Sequence, residues 1–231
     1  MVVFVWIIGA VLASFCHVVG ERLPQGKSFL WTRSVCSHCQ RTLRWYELVP
    51  VFSFCYVKGR CKTCRQPISI LYPVIEILCG CLFVAIYTYS ADVYTMTLYV
   101  LLTLLFIIIT VSDIHYFIIP NRVLGCFAVL FLSWLWMANE SLWSHLLLSV
   151  IIGFCLALFS IVTHGGLGFG DVKLYALLGL VLSFEQLIWS LLWACIGGLL
   201  YAGWTKLKIG APLPFAPFIA IGTFMSIVMY S

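Results

Sequence analysis

Asp113 closes the apolar run that ends at Val111, and Asp171 stands in Gly168-Phe169-Gly170-Asp171, just ahead of the next apolar run. A carboxylate at the edge of a membrane segment is costly to keep, so such residues mark function by default. The chain has only eight acidic residues in 231, and two in matching positions suggest a shared acid/base site. Two carboxylates held close cannot both ionise easily. They share a proton, so one can act as base on a water while the other acts as acid. Such a pair titrates as a unit, and the residue order does not say which is the base. Gly168 and Gly170 lack a Cβ, which lets the backbone ahead of Asp171 take unusual dihedral angles and lets an extended peptide approach. Plainer roles exist for each residue alone. Asp113 could be a polar helix end paired with Arg122, and Asp171 could pair with Lys173 or cap a helix.

A second constellation is the pair Cys36-Ser37-His38-Cys39 and Cys61-Lys62-Thr63-Cys64, with 21 residues between them. Two C-x2-C knuckles each present two thiolates from a tight turn, the spacing of a four-coordinate zinc site. A site closed by four cysteines is structural rather than catalytic, since no coordination position stays open. His38 lies inside the first knuckle and is an alternative ligand to one sulfur. Unliganded thiols or a redox pair are the bland readings. The other seven cysteines fall mostly in apolar runs and are expected to pack as small hydrophobes.

These groups must be positioned by membrane elements. The composition is 63% hydrophobic and 9% charged, far from a soluble domain. Eight apolar segments cover residues 2–20, 71–89, 94–112, 123–138, 142–163, 172–184, 187–203 and 212–229. A span needs roughly 20 apolar residues. The sixth is short, and only Glu185 and Gln186 separate it from the seventh. The first segment has no basic residues ahead of it, unlike a signal peptide, and Arg22 follows it. With the N-terminus outside and eight spans, all thirteen Lys and Arg fall on the cytoplasmic side, whereas fusing spans six and seven would put Lys206 and Lys208 outside. Both aspartates then sit at the cytoplasmic ends of helices.

One loop, residues 21–70, is large enough to be a small domain. Nine of the thirteen Lys and Arg lie between Arg22 and Arg65. That basicity has two plain readings, cytoplasmic topology with contact to anionic lipid or an acidic partner; lipid and topology suffice, and its distribution does not point to nucleic acid. A loop this small hardly buries a sufficient core unaided, so zinc would be its staple. The division expected is 1–20 as first span, 21–70 as the cytoplasmic zinc-binding loop domain and 71–231 as the membrane domain with the aspartates. Glu76 enters the second span just after Tyr72-Pro73, where structural pairing is the better reading. His115, near Asp113, is read as an interfacial histidine.

These residues together resemble the type IV prepilin peptidases, including the competence-type enzymes of Gram-positive bacteria. Ser14-Phe15 and Arg22-Leu23-Pro24 lead out of the first span. Two knuckles flank Trp45-Tyr46-Glu47-Leu48-Val49-Pro50, and Lys58-Gly59-Arg60 precedes the second. Tyr72-Pro73-Val74-Ile75-Glu76, Asp113 with Ile119-Pro120-Asn121, the Gly168-to-Lys173 motif and Pro214-Phe215-Ala216-Pro217 complete the set. Ser37 departs from the proline often found there. The resemblance implies that Asp113 and Asp171 are catalytic and that the four cysteines hold zinc. It implies removal of a short basic leader from prepilin-like membrane proteins, after a glycine and before a hydrophobic helix. It further implies methylation of the new N-terminus by S-adenosylmethionine, a step associated with the loop and the region around Gly59, with Glu47 and Glu76 as possible support.

The expected protein is therefore an all-α polytopic membrane protein of about eight transmembrane helices with one zinc-stapled cytoplasmic loop domain. Its expected activity is that of an aspartic endopeptidase in the bacterial cytoplasmic membrane. Two rivals remain: another Gly-x-Gly-Asp intramembrane protease, which would cut within the hydrocarbon and lack the knuckle loop, and a proton-coupled transporter using the aspartates as a relay.

Overall fold

The structure is a computed structural model describing all residues except 29–32, 37, 165, 207–211 and 231. Ser37 and Lys208 thus lie outside the described residues. The chain is helical: α1 (Val2–Arg22), α2 (Phe52–Tyr56), α3 (Leu71–Tyr89), α4 (Val93–Tyr116), α5 (Asn121–Met137), α6 (Leu142–Val162), α7 (Phe169–Leu178), α8 (Phe184–Thr205) and α9 (Ala216–Tyr230). A 3-10 turn covers Trp45–Glu47, and the only β pairing among the described residues is two isolated bridges. Each of the eight apolar segments falls mainly on a different helix. Five of these, α1, α3, α4, α6 and α8, are long and apolar enough to cross a membrane, while α5 and α9 are shorter apolar helices.

Several boundaries differ from those read in the sequence. α4 runs on to Tyr116, so Asp113 lies in its last turn rather than beyond it. The helix ends where Phe117 turns to a left-handed φ of 54° and its N–H bonds the Asp113 carbonyl at 2.9 Å. α7 begins earlier and stops earlier than expected, so Asp171 is inside its first turn. Its 10 residues rise about 15 Å, half of a ~30 Å hydrocarbon slab. The linker to α8 is residues 179–183, not Glu185 and Gln186. Those two belong to the first turn of α8, where Ser183 and Gln186 form a reciprocal capping box.

The chain divides into two units, Met1–Ile108 and Ile109–Ser231, with α4 running through the division. In the first unit α1 packs on α3. A Cβ on Gly9 would lie 2.8 Å from Phe83, and one on Gly80 would lie 2.7 Å from Trp6. Large side chains of one helix thus fill glycine notches of the other, the packing that membrane helices rely on where no water drives association. Ala13, Cys79 and Phe83 form the centre of this contact, flanked by Ile75, Leu104 and Ile107.

In the second unit α8 packs on α9, and α6 on α7. A Cβ on Gly222 would come within 2.4 Å of the Ser190 carbonyl oxygen, while the Ser190 and Thr223 hydroxyls meet at 2.9 Å beside it. The polarity of α6 is inverted relative to a soluble helix: it buries Ser160 and exposes Leu147, Val150, Ile151, Phe154 and Ile161. That surface belongs in lipid. The same reason corrects the expectation for the cysteines. Only Cys16 and Cys79 of the seven are buried, while Cys81, Cys126, Cys155 and Cys195 lie on exposed helix faces whose apolar surroundings suit lipid.

Candidate active site and metal centre

Asp113 and Asp171 both belong to the second unit. Asp113 is buried at the end of α4, and Asp171 is half-buried in the first turn of α7. The two carboxylates lie close enough to interact electrostatically. Among the described residues neither has an ion-pair partner. The ion-pair alternatives are not met among the described residues, while both aspartates do lie at helix ends, Asp171 in the first turn of α7. Lys173 gives its Nζ to Asn121 Oδ1 at 3.1 Å rather than to Asp171, which clips α7 to the start of α5.

Asp113 instead accepts the backbone N–H of Ala216 at 2.8 Å, across 103 residues of sequence. Ala216 opens α9, and the reason its N–H is available is local. Pro217 has no N–H, and the Phe218 and Ile219 N–H groups turn back to the Phe215 carbonyl at 3.0 and 3.1 Å. One orphan donor of the helix start is left facing Asp113, and the positive end of α9 faces a carboxylate. This partner is absent from any pattern around Asp113 itself. The Pro-Phe-Ala-Pro motif named the segment but not its role.

The glycines ahead of Asp171 do not use the dihedral freedom read in the sequence. Gly168 is the N-cap of α7 with φ −63° and ψ 138°, and neither Gly168 nor Gly170 has a positive φ. They are needed for close approach. A Cβ on Gly168 would sit 3.0 Å from Asp171 Oδ2, and one on Gly170 would meet Ile119 at 3.3 Å. Buried Ser160 holds the incoming loop by donating to the Leu167 carbonyl at 2.6 Å. Ser112 donates to the Ile118 carbonyl, which turns the chain after α4 and sets Ile119 against Gly170. His115 is exposed.

The four cysteines converge in the first unit. Cys36 Sγ lies 3.9 Å from Cys64 Sγ, Cys39 Sγ lies 4.0 Å from Cys61 Sγ, and all four sulfurs are within 4.8 Å of one another. Thiolates around tetrahedral zinc with Zn–S bonds of ~2.3 Å would be about 3.8 Å apart, so the cluster fits that ion. The knuckles are copies of one another at an offset of 25 residues. The Cys36 N–H bonds the Arg41 carbonyl as Cys61 N–H bonds that of Gln66, each at 2.9 Å. Gln40 and Arg65, just past the second cysteine of each knuckle, take φ of 56° and 57°. The bridges Val35–Thr42 and Arg60–Pro67 close the two turns. Backbone N–H groups of Cys64 and Thr63 point at the Cys61 sulfur and lower its pKa to about 6. Those of Cys39 and His38 lower the Cys36 thiol likewise. Ionised sulfur is the form a metal binds. At Cys64 the Gln66 N–H is outweighed by burial and the three neighbouring sulfurs, which push its pKa up to about 11, as expected where four thiols crowd one point.

The loop's other sites support this centre. Glu47 accepts both Arg41 Nη atoms at 3.1 and 2.8 Å and the Arg44 N–H at 2.9 Å. The Arg41 fork holds its pKa below the ordinary carboxylate range. Gly59 needs its residue type, since its φ is +66° and Phe54 lies against it. Glu76 accepts the Val51 N–H at 2.7 Å from within α3. An open cavity of about 660 Å³ is lined by Arg33, Arg41, Arg44, Trp45 and Leu48 among others. Its guanidinium groups would repel a sulfonium, and its nearest carboxylate, Glu47, is spent on Arg41. This lining suits an anionic group such as a carboxylate and by itself does not identify a site for the sulfonium of S-adenosylmethionine.

Helices with lipid-suited surfaces, a paired-carboxylate site and a four-thiol centre define a polytopic helical membrane protein. Residues 7–90 match the bacterial peptidase A24 N-terminal domain, and residues 99–203 match the type IV leader peptidase family. The chain is 36% identical to the prepilin leader peptidase/N-methyltransferase of Bacillus subtilis (strain 168), over 98% of this chain and 93% of that one. It is 31% identical to the protein so named in Myxococcus xanthus (strain DK1622), over 85% of this chain and 60% of that one, and 26% identical to that of Stutzerimonas stutzeri, over 96% and 88%. No solved structure matches. The chain belongs to the type IV leader peptidase family and is a multi-pass bacterial inner-membrane peptidase.

Proposed function

We propose that the protein is an aspartic endopeptidase that removes the short basic leader of prepilin-like membrane proteins at the cytoplasmic face. The observation that carries this reading is the packing of Ile119, just after α4, against Gly170 at the start of α7, which brings the helix ends bearing Asp113 and Asp171 together, with neither carboxylate paired to a cation among the described residues. One carboxylate takes a proton from water as the oxygen adds to the scissile carbonyl. The other protonates the departing nitrogen. Collapse leaves a carboxyl group on the leader and a free amine on the mature chain. Both aspartates at one end of their helices suit a substrate whose apolar helix stays in the membrane while its leader reaches the cytoplasm. The N-terminus is then outside and residues 21–70 are cytoplasmic, with residues 71–231 forming the peptidase part.

Zinc held by Cys36, Cys39, Cys61 and Cys64 would staple the loop domain and take no part in proteolysis. Methylation of the new N-terminus with S-adenosylmethionine completes the proposal, supported by the names of the relatives. The test is mass spectrometry of the N-terminus of a prepilin-like substrate in membranes with S-adenosylmethionine. Leader loss that requires both aspartates supports the peptidase, and an added methyl group supports the second step. An intact substrate across several candidate leaders would overturn the reading.

A further inference from the structure

The loop domain exposes an unusual set of side chains for a polar, basic segment. Trp45 is 79% exposed, Phe52 68% and Tyr56 65%, with Leu48 and Val49 also exposed. Trp45, Phe52 and Tyr56 are linked through Tyr46 and one face of α2. Phe52 and Tyr56 stand four residues apart on α2 and so share a face. Tyr56 meets Tyr46 edge to face at 5.9 Å, and Tyr46 meets Trp45 at 5.7 Å.

Depth is set by Glu76. Its bond to the Val51 N–H ties the turn that precedes α2 to the second turn of α3. That turn is held against its own preference. Val51, a β-branched residue, has φ 63° and ψ −52°, and Phe52 N–H closes a three-residue turn onto the Pro50 carbonyl at 2.6 Å. α3 has 19 residues and rises about 28 Å, close to a ~30 Å hydrocarbon slab, so its first residue lies near one edge. Glu76, five residues on, lies about 7.5 Å further in. The Val51 turn must share that level, and its exposed neighbours suit the boundary of lipid tails and headgroups, where aromatic residues collect.

Charge points the same way. Residues 21–70 carry nine basic residues against two carboxylates, Glu21, which accepts the Tyr72 hydroxyl, and Glu47, which holds Arg41. Arg44 and Arg33 line the open cavity beside Trp45. An apolar, aromatic edge flanked by cations is the pattern of a segment lying in an anionic interface. We propose that residues 45–56 form an interfacial wedge, pinned by Glu76, that seats the loop domain on an anionic phospholipid surface.

The test places a photo-crosslinking phenylalanine analogue at position 52, a conservative exchange, in the full chain in vesicles of phosphatidylcholine with phosphatidylglycerol. The same analogue at Phe154, exposed on α6, is the lipid control, and at Gln66, on the second knuckle, the water-side control. Lipid adducts at positions 52 and 154 but not at 66 are expected. Arg44→Gln should cut the phosphatidylglycerol share of the adducts at 52 about fivefold, the factor given by ~1 kcal/mol per basic residue at an anionic surface. Adducts at 154 with none at 52, equal adducts at 66, or adducts at 52 chiefly with protein would each overturn the proposal.

Discussion

Asp113→Asn separates two roles that the geometry gives one carboxylate. Asp113 closes the start of α9 through the Ala216 N–H and faces Asp171. An asparagine keeps an oxygen acceptor at the same place. A bond to a charged acceptor contributes about 1.5–3 kcal/mol and a neutral one about 0.5–1.5, so the exchange should cost roughly 1 kcal/mol of stability. That is a minor share of a net stability of about 5–15 kcal/mol. Catalysis loses far more, because a positioned acid or base contributes about 10²–10⁴ in rate, or ~3–5 kcal/mol. Asp113→Ala adds a second injury, a buried N–H without an acceptor, costing about 1–3 kcal/mol. Leader removal in membranes, read by mass spectrometry, and thermal unfolding of the purified variants measure both quantities. The asparagine variant should insert and unfold near the native temperature yet cleave at least about 100-fold more slowly. The alanine variant should be equally inactive and less stable. An asparagine variant that cleaves near the native rate would reduce Asp113 to a helix cap and refute the dyad.

Chelation of zinc, or Cys36→Ser with Cys64→Ser, should make residues 33–70 protease-sensitive while the helices stay intact. Unchanged digestion would refute the staple. Gly222→Ala puts a Cβ 2.4 Å from the Ser190 carbonyl oxygen, so α8 and α9 must separate, at a cost of about 1–3 kcal/mol in thermal unfolding. An unaltered melting temperature would mean that this contact is looser than described. Glu47 has a lowered pKa, so its stabilising pairing with Arg41 is complete above the ordinary value of 4.5 and fades as pH falls through the lowered one. Glu47→Gln should therefore weaken the loop domain at neutral pH, with the difference from the native protein shrinking towards acid. A pH-independent difference would argue against the ion pair.

Much of the architecture is legible in the sequence because membrane helices announce themselves by length and apolarity, and thiol knuckles by spacing. Helix ends are less legible, since they depend on caps and contacts. α4 absorbs Asp113 because Phe117, not the charge, ends it. α7 absorbs Asp171 because Gly168 supplies the cap. At the other end of α7, Gly179 meets the Ser149 backbone too closely for a side chain, since a Cβ there would lie 2.8 Å from the Ser149 Cα. Gly168 and Gly170 supply clearance, not the conformational freedom that their residue type suggests.

Residue type and spacing alone determined that this is a helical membrane protein, that four cysteines belong together and that two aspartates stand at helix ends, because those properties are local. Only the tertiary structure decided what each group faces. The Ala216 N–H reaches Asp113 across 103 residues, Lys173 turns to Asn121 and away from Asp171, and Glu76 holds the Val51 turn. Such partners are selected by which backbone donors the neighbouring helix leaves unsatisfied, and that is settled only when helices pack.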